Sequence, residues 1–72
     1  MAELWVKSEI AGSVWKIEVE IGDLVAEDDT LLVLESMKME IPLLAPGEGI
    51  VKEIRVKEGE AIAEGDVAVV LG

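Results

Sequence analysis

Two short stretches of the chain share one rhythm. In "KIEV" (residues 16–19) and "KEIRV" (residues 52–56), Ile or Val takes every second position and Lys, Glu or Arg stands between. A period of two with β-branched apolar residues predicts strands with one face buried, and not helices. Extended over the first half of the chain, the pattern predicts strands at Leu4 to Lys7, Val14 to Val19, a short one near Leu24 and Val25, and Thr30 to Leu34. The intervening segments have turn chemistry. "IGD" and "EGE" put Gly22 and Gly59 where a positive φ is needed, while "AEDDT" and "AEGDV" read as tight reversals before a last strand. "APGEG" (45–49) is a further loop, with Pro46 and Gly47 as breakers.

The second half repeats the first at an offset of 37 residues. "GSVWKIEVEIGDLVAEDDTLLVLE" (12–35) lies over "GIVKEIRVKEGEAIAEGDVAVVLG" (49–72), pairing Gly12 with Gly49, Val14 with Val51, Ile17 with Ile54 and Gly22 with Gly59. The overlay runs backward to place Leu4 on Ile41 and Val6 on Leu43, so the copies span Glu3 to Glu35 and Glu40 to Gly72. Asp28 in one copy stands where Gly65 stands in the other, a substitution that Asp tolerates better than most residues with a Cβ. The expected fold is therefore all-β: a flattened eight-stranded barrel-sandwich of two four-stranded halves related by a pseudo-twofold axis and packed face to face, a single domain over residues 1–72. What remains between the copies is "SMKM". A two-residue hairpin turn at Met37 and Lys38 would lift the lysine to one tip, away from the chain termini.

Composition narrows what such a domain can do. The 72 residues are 51% hydrophobic but include no Phe, no Tyr and only two Trp, so the core must be Val, Leu and Ile. Trp5 and Trp15 read as packing residues and not as binding ones. There is no Cys and no His, which removes the disulfide, the thiolate nucleophile, the usual general base near neutral pH and the commonest transition-metal ligand. Autonomous catalysis and a metal site are not expected. Sixteen acidic against six basic residues give a net charge of -10, which argues against nucleic acid or an anionic membrane as partner. It fits either a partner with a basic face or a surface charged for solubility. No apolar run approaches the ~20 residues that span a bilayer, and "MAELWVK" lacks the form of a signal peptide, so a cytoplasmic monomer is expected.

On these residues the chain resembles the biotinyl domain, the biotin carboxyl carrier module, and most closely the small stand-alone biotin/lipoyl attachment proteins. The resemblance rests on "ESMKME" at the seam of the β repeat, and on the framework segments "GIVKEI" and "EGDVAVVL". It implies that Lys38 receives biotin through an amide made by a biotin protein ligase. It also implies that the biotin arm shuttles carboxyl groups between a biotin carboxylase and a carboxyltransferase, and that Glu35, Ser36, Met37, Met39 and Glu40 form the patch the ligase reads. Gly12, Gly22, Gly49 and Gly59 are assigned to structural turns. Biotin carriers most often have Ala before Met-Lys-Met, whereas Ser36 stands here, and Glu followed by Ser is lipoyl-like. A lipoate ligase acting on the same lysine, or modification by both cofactors, is thus the alternative. The connection "EIGD" leaves no room for the protruding thumb of some bacterial carriers.

Each assignment has a plainer rival in the residues themselves. Lys38 could be a solvated turn lysine, and Glu35 and Glu40 no more than a solvated face. Met37 and Met39 could fill core gaps, although a hairpin tip offers little core, and flexible thioethers suit a surface that another protein grips. The attachment reading has a physical rationale: an amine that must attack an activated acyl group in another enzyme's pocket has to be exposed, isolated and held on a rigid turn.

Overall fold

The computed structural model of the protein describes residues 3–72. Its strands are β1 Leu4–Lys7, β2 Gly12–Ile17, β3 Leu24–Val25, β4 Thr30–Ser36, β5 Met39–Leu44, β6 Gly49–Ile54, β7 Ala61–Ile62 and β8 Val67–Leu71. They form two four-stranded antiparallel sheets, ordered β1-β8-β6-β3 and β5-β4-β2-β7. The chain is all-β, as the alternation predicts. Among the described residues no helix is long and apolar enough to cross a membrane.

The offset of 37 maps β2 on β6 and β3 on β7 residue for residue, and it carries the first sheet order onto the second. The pseudo-twofold is therefore real, but the repeat copies are not the sheets. Each sheet takes two strands from each copy, so the expected stacking of one intact copy on the other gives way to an exchange of strands. Residues 18–23 cause it. The reversal at Gly22 throws β3 across to the other sheet, where Gly22 N–H donates to the Val51 carbonyl (2.8 Å) and Val51 N–H to that of Asp23 (2.9 Å). Gly59 and Val14 make the equivalent bond at 2.7 Å, and Val14 N–H donates to Glu60 at 2.8 Å. Neither copy can close a core without the other.

Gly22 and Gly59 hold the expected positive φ, 99° and 86°. Asp28 and Gly65 do so as well, at 72° and 90°, so Asp28 bears a left-handed backbone that its counterpart adopts without a Cβ. Asp29 and Asp66 brace these reversals: each carboxylate accepts from the N–H three residues earlier, that of Ala26 (2.8 Å) or Ala63 (2.9 Å).

Strand β2 ends at Ile17, not at Val19, although Val19 still packs against the core. The core is aliphatic. Leu31, Leu32, Leu34, Val51, Val69 and Leu71 are buried completely or almost so, each side chain contributing roughly 1.5–3 kcal/mol by leaving water. The two tryptophans are not core residues: Trp5 and Trp15 are 53% and 51% exposed. Trp15 is the extra residue of a bulge, since Val14 pairs with Leu34 and Lys16 already pairs with Val33. Trp5 does pack, but outside. It shares a row with Val70 and Glu53, its ring centroid lies 5.3 Å from the Arg55 guanidinium, and its Nε1–H donates to Glu3 (3.3 Å). Val70 is fully buried yet no part of the main core cluster, which places it beneath this outer cover.

Candidate functional site

The seam between the copies folds as the sequence predicts. β4 and β5 pair through Leu34 with Ile41, Glu35 with Glu40 and Ser36 with Met39, leaving Met37 and Lys38 as a two-residue turn. Both turn residues have positive φ, 52° and 65°, the combination that matches the right-handed twist of a hairpin and is usually supplied by Asn-Gly. Met and Lys pay for it, at roughly 1 kcal/mol per residue. Turn propensity therefore does not account for their presence there.

The tip is open. Met37 is 92% exposed and Met39 63%, so the core-filling reading of these methionines fails, and Lys38 stands exposed between them. All five lysines, Lys7, Lys16, Lys38, Lys52 and Lys57, are exposed, so exposure alone distinguishes none of them. Position does, because Lys38 is the lysine at the turn. The ion pairs among the described residues, Lys16 with Glu18, Lys52 with Glu3 and Arg55 with Glu53, involve no hairpin residue. Glu35 and Glu40 sit directly opposite each other, both exposed. Like charges facing across a ladder oppose stability, so this pair does not serve the fold.

The stem of the hairpin is braced from the side. A Cβ built on Gly12 would lie 2.5 Å from the Glu35 carbonyl oxygen and 3.3 Å from the Ser36 Cβ. Gly12 and Gly49 are thus not turn residues as expected. They open β2 and β6 without a positive φ, and they are glycine because another strand passes close. In the other sheet the two chain ends come together where β1 meets β8, at Leu4 and Leu71, the place the pseudo-twofold assigns to the Lys38 turn.

An exposed amine on a left-handed, two-residue turn with a braced stem has what a covalent attachment point needs. The family model described as "Biotin-requiring enzyme" matches residues 6–71. The chain belongs to the biotin/lipoyl attachment family. It is 48% identical over 62 residues to a biotin/lipoyl attachment protein of Bacillus subtilis (strain 168), covering 86% of this chain and 85% of that one. It is 46% identical over 66 residues to the biotinylated protein TB7.3 homolog of Mycobacterium leprae (strain TN), covering 92% and 93%. Among solved structures it is similar to the urea carboxylase of Kluyveromyces lactis, with a TM-score of 0.94 and 30% identity, covering 100% of this chain but 6% of that longer one.

Within this biotin/lipoyl attachment fold, the structure brings Glu35, Ser36, Met37, Lys38, Met39 and Glu40 together at one tip, and Gly22, Gly49 and Gly59 lie outside that hairpin. Sequence reasoning did not assign Gly12 to the site. The overlay paired it with Gly49 but could not show that its neighbour is the backbone of the hairpin stem. Nor did it find the groove between the free edges of β1 and β5, which depends on strand exchange.

Proposed function

We propose that this chain, as one attachment domain over residues 1–72, is a cytoplasmic carrier whose Lys38 receives biotin through an amide from biotin protein ligase and serves a biotin carboxylase and a carboxyltransferase. The observation that carries it is the turn: the amine stands on a left-handed two-residue reversal, between two exposed methionines. When bound, biotin supplies the ureido nitrogen that takes up the carboxyl group. The chain's own residues do the rest. Lys38 provides the nucleophilic nitrogen once the ligase has removed its proton; its bond to the acyl carbon forms as the activating group leaves, and the resulting amide stays uncharged. Met37 and Met39 present adaptable apolar surface to the ligase, and Glu35 and Glu40 set the charge around it. The domain itself is not a catalyst. A net charge of -10 on 7.7 kDa keeps copies apart and supports a monomer that meets partners through basic surfaces.

Parallel incubation with biotin ligase and with lipoate ligase, followed by intact mass, tests the choice of cofactor. The wild-type chain is expected to take biotin the faster. Met37→Asp combined with Met39→Ala rebuilds a lipoyl-like turn around the same lysine and is expected to reverse that order, since specificity is a difference between two fits. Unchanged rates in the double variant would mean that neither methionine is read. Lipoate outrunning biotin on the wild type would replace biotin with lipoate in this reading.

A further inference from the structure

Beside the hairpin runs a groove of about 510 Å³, the mouth left open between the edge strands β1 and β5. Its middle is symmetric: Val6 and Leu43 line it as a pair related by the offset of 37, as do Trp5 and Pro42. Its ends are not. The groove takes in Ile10, Leu34 and Ile41, on the side of the Lys38 turn, but not their counterparts Gly47, Leu71 and Leu4 on the side of the chain ends. Its wall is continuous with the hairpin stem, because the segment from Ile10 leads directly to Gly12 against Glu35.

We propose that the biotinyl group on Lys38, when no partner holds it, folds back along β5 and lies in this Ile10, Leu34 and Ile41 end of the groove. The inference rests on the reading that Lys38 carries biotin. Ile41 is three residues beyond Lys38, about 10 Å along a strand. The lysyl side chain and the acyl chain of biotin together hold about eleven bonds of ~1.5 Å, enough to bring the ring system over Ile41 and not beyond the far end. The chemistry of the lining suits the group. The methylenes and the sulfur ring meet aliphatic side chains, while Glu9 and Lys7, which line the same groove, provide an acceptor for the ureido N–H and a donor for its carbonyl. Attachment holds the ring at an effective concentration in the millimolar range, so a site too weak for free biotin is filled by the tethered one. A carboxylase partner then draws the arm from a shelter and not from water.

The test compares amide and methyl NMR spectra before and after biotinylation, with loading verified by intact mass. Docking predicts shifts that extend past the turn to Ile10, Leu34 and Ile41, and nuclear Overhauser contacts between the sulfur-ring protons of biotin and the Ile10 and Ile41 methyls. Ile41→Thr keeps the branched shape but removes apolar surface, and is expected to lose the shifts at Ile10 and Leu34 while keeping those at the turn. Shifts confined to residues 35–40 in a loaded chain overturn the docking and leave the carrier reading intact. A chain that gains no biotin overturns both.

Discussion

Exchanging Lys38 and Met39, to give Glu-Ser-Met-Met-Lys-Glu over residues 35–40, is expected to slow biotinylation at least ~100-fold without changing strand content. Composition and net charge are unaltered, and the amine moves by a single residue. The move matters because positions 38 and 39 belong to different kinds of backbone. Lys38 has a φ of 65° at the turn, whereas Met39 is already the first residue of β5, paired with Ser36. Neighbouring positions project in different directions there, as side chains alternate along a strand. A misplacement of about 1 Å can cost ~100-fold in a positioned reaction, and this shift is larger. Folding should not suffer, because a methionine already occupies the other left-handed position at residue 37. Time courses by intact mass, with circular dichroism as control, read both quantities. Modification of residue 39 at the wild-type rate would show that the ligase tolerates register.

The second large effect is expected at a residue with no chemistry of its own. Gly12→Ala places a Cβ 2.5 Å from the Glu35 carbonyl oxygen, and that neighbour is backbone, which cannot swing aside. Overpacking of this kind costs about 1–3 kcal/mol. For a domain of this size each kcal/mol lowers Tm by roughly 4–8 °C. The strand that must yield is the stem carrying Lys38, so biotinylation should slow along with the loss of stability. Gly49→Ala is the matched control supplied by the pseudo-twofold. Its Cβ would meet the Gly72 carbonyl oxygen and the Leu71 Cβ at 3.3 Å. Because 3.3 Å asks for a shift of only a few tenths of an ångström where 2.5 Å asks for far more, it should cost less and leave the modification rate unchanged. Equal behaviour of the two variants would mean that β2 does not brace the hairpin.

What could be read from the residues was local or repeated. Alternation in "KIEV" and "KEIRV" identified strands, and the offset of 37 identified β6 and β7 once β2 and β3 were assigned. Positive φ at Gly22 and Gly59 followed from turn chemistry, and the Asp28 and Gly65 exchange fell at a shared left-handed position. The two-residue turn at Met37 and Lys38 followed from the same repeat, because the seam has to reverse. What was missed depended on distant partners. Nothing near β3 in sequence announces that it pairs with β6, so exchange of strands between sheets was invisible, and with it the groove. Gly12 looked like a turn glycine because its reason, the Glu35 carbonyl, lies 23 residues away in sequence. Where the tryptophans pack was illegible for a related reason. A bulge breaks the alternation at Trp15, and the partner that holds Trp5, Arg55, comes from the other copy.

Lys38, through its place on the turn and not through exposure, is expected to be the point where the cofactor is attached. Intact mass and peptide mapping of the chain after co-expression with biotin ligase test it most directly. Five lysines are exposed and compete on equal terms for any unspecific reagent. One biotin per chain is expected, located on the peptide containing Lys38, and no biotin at all in Lys38→Arg, whose fold should persist because a long-chain cation still occupies the turn. Biotin on Lys7, Lys16, Lys52 or Lys57, or a mass increment that survives Lys38→Arg, would contradict it.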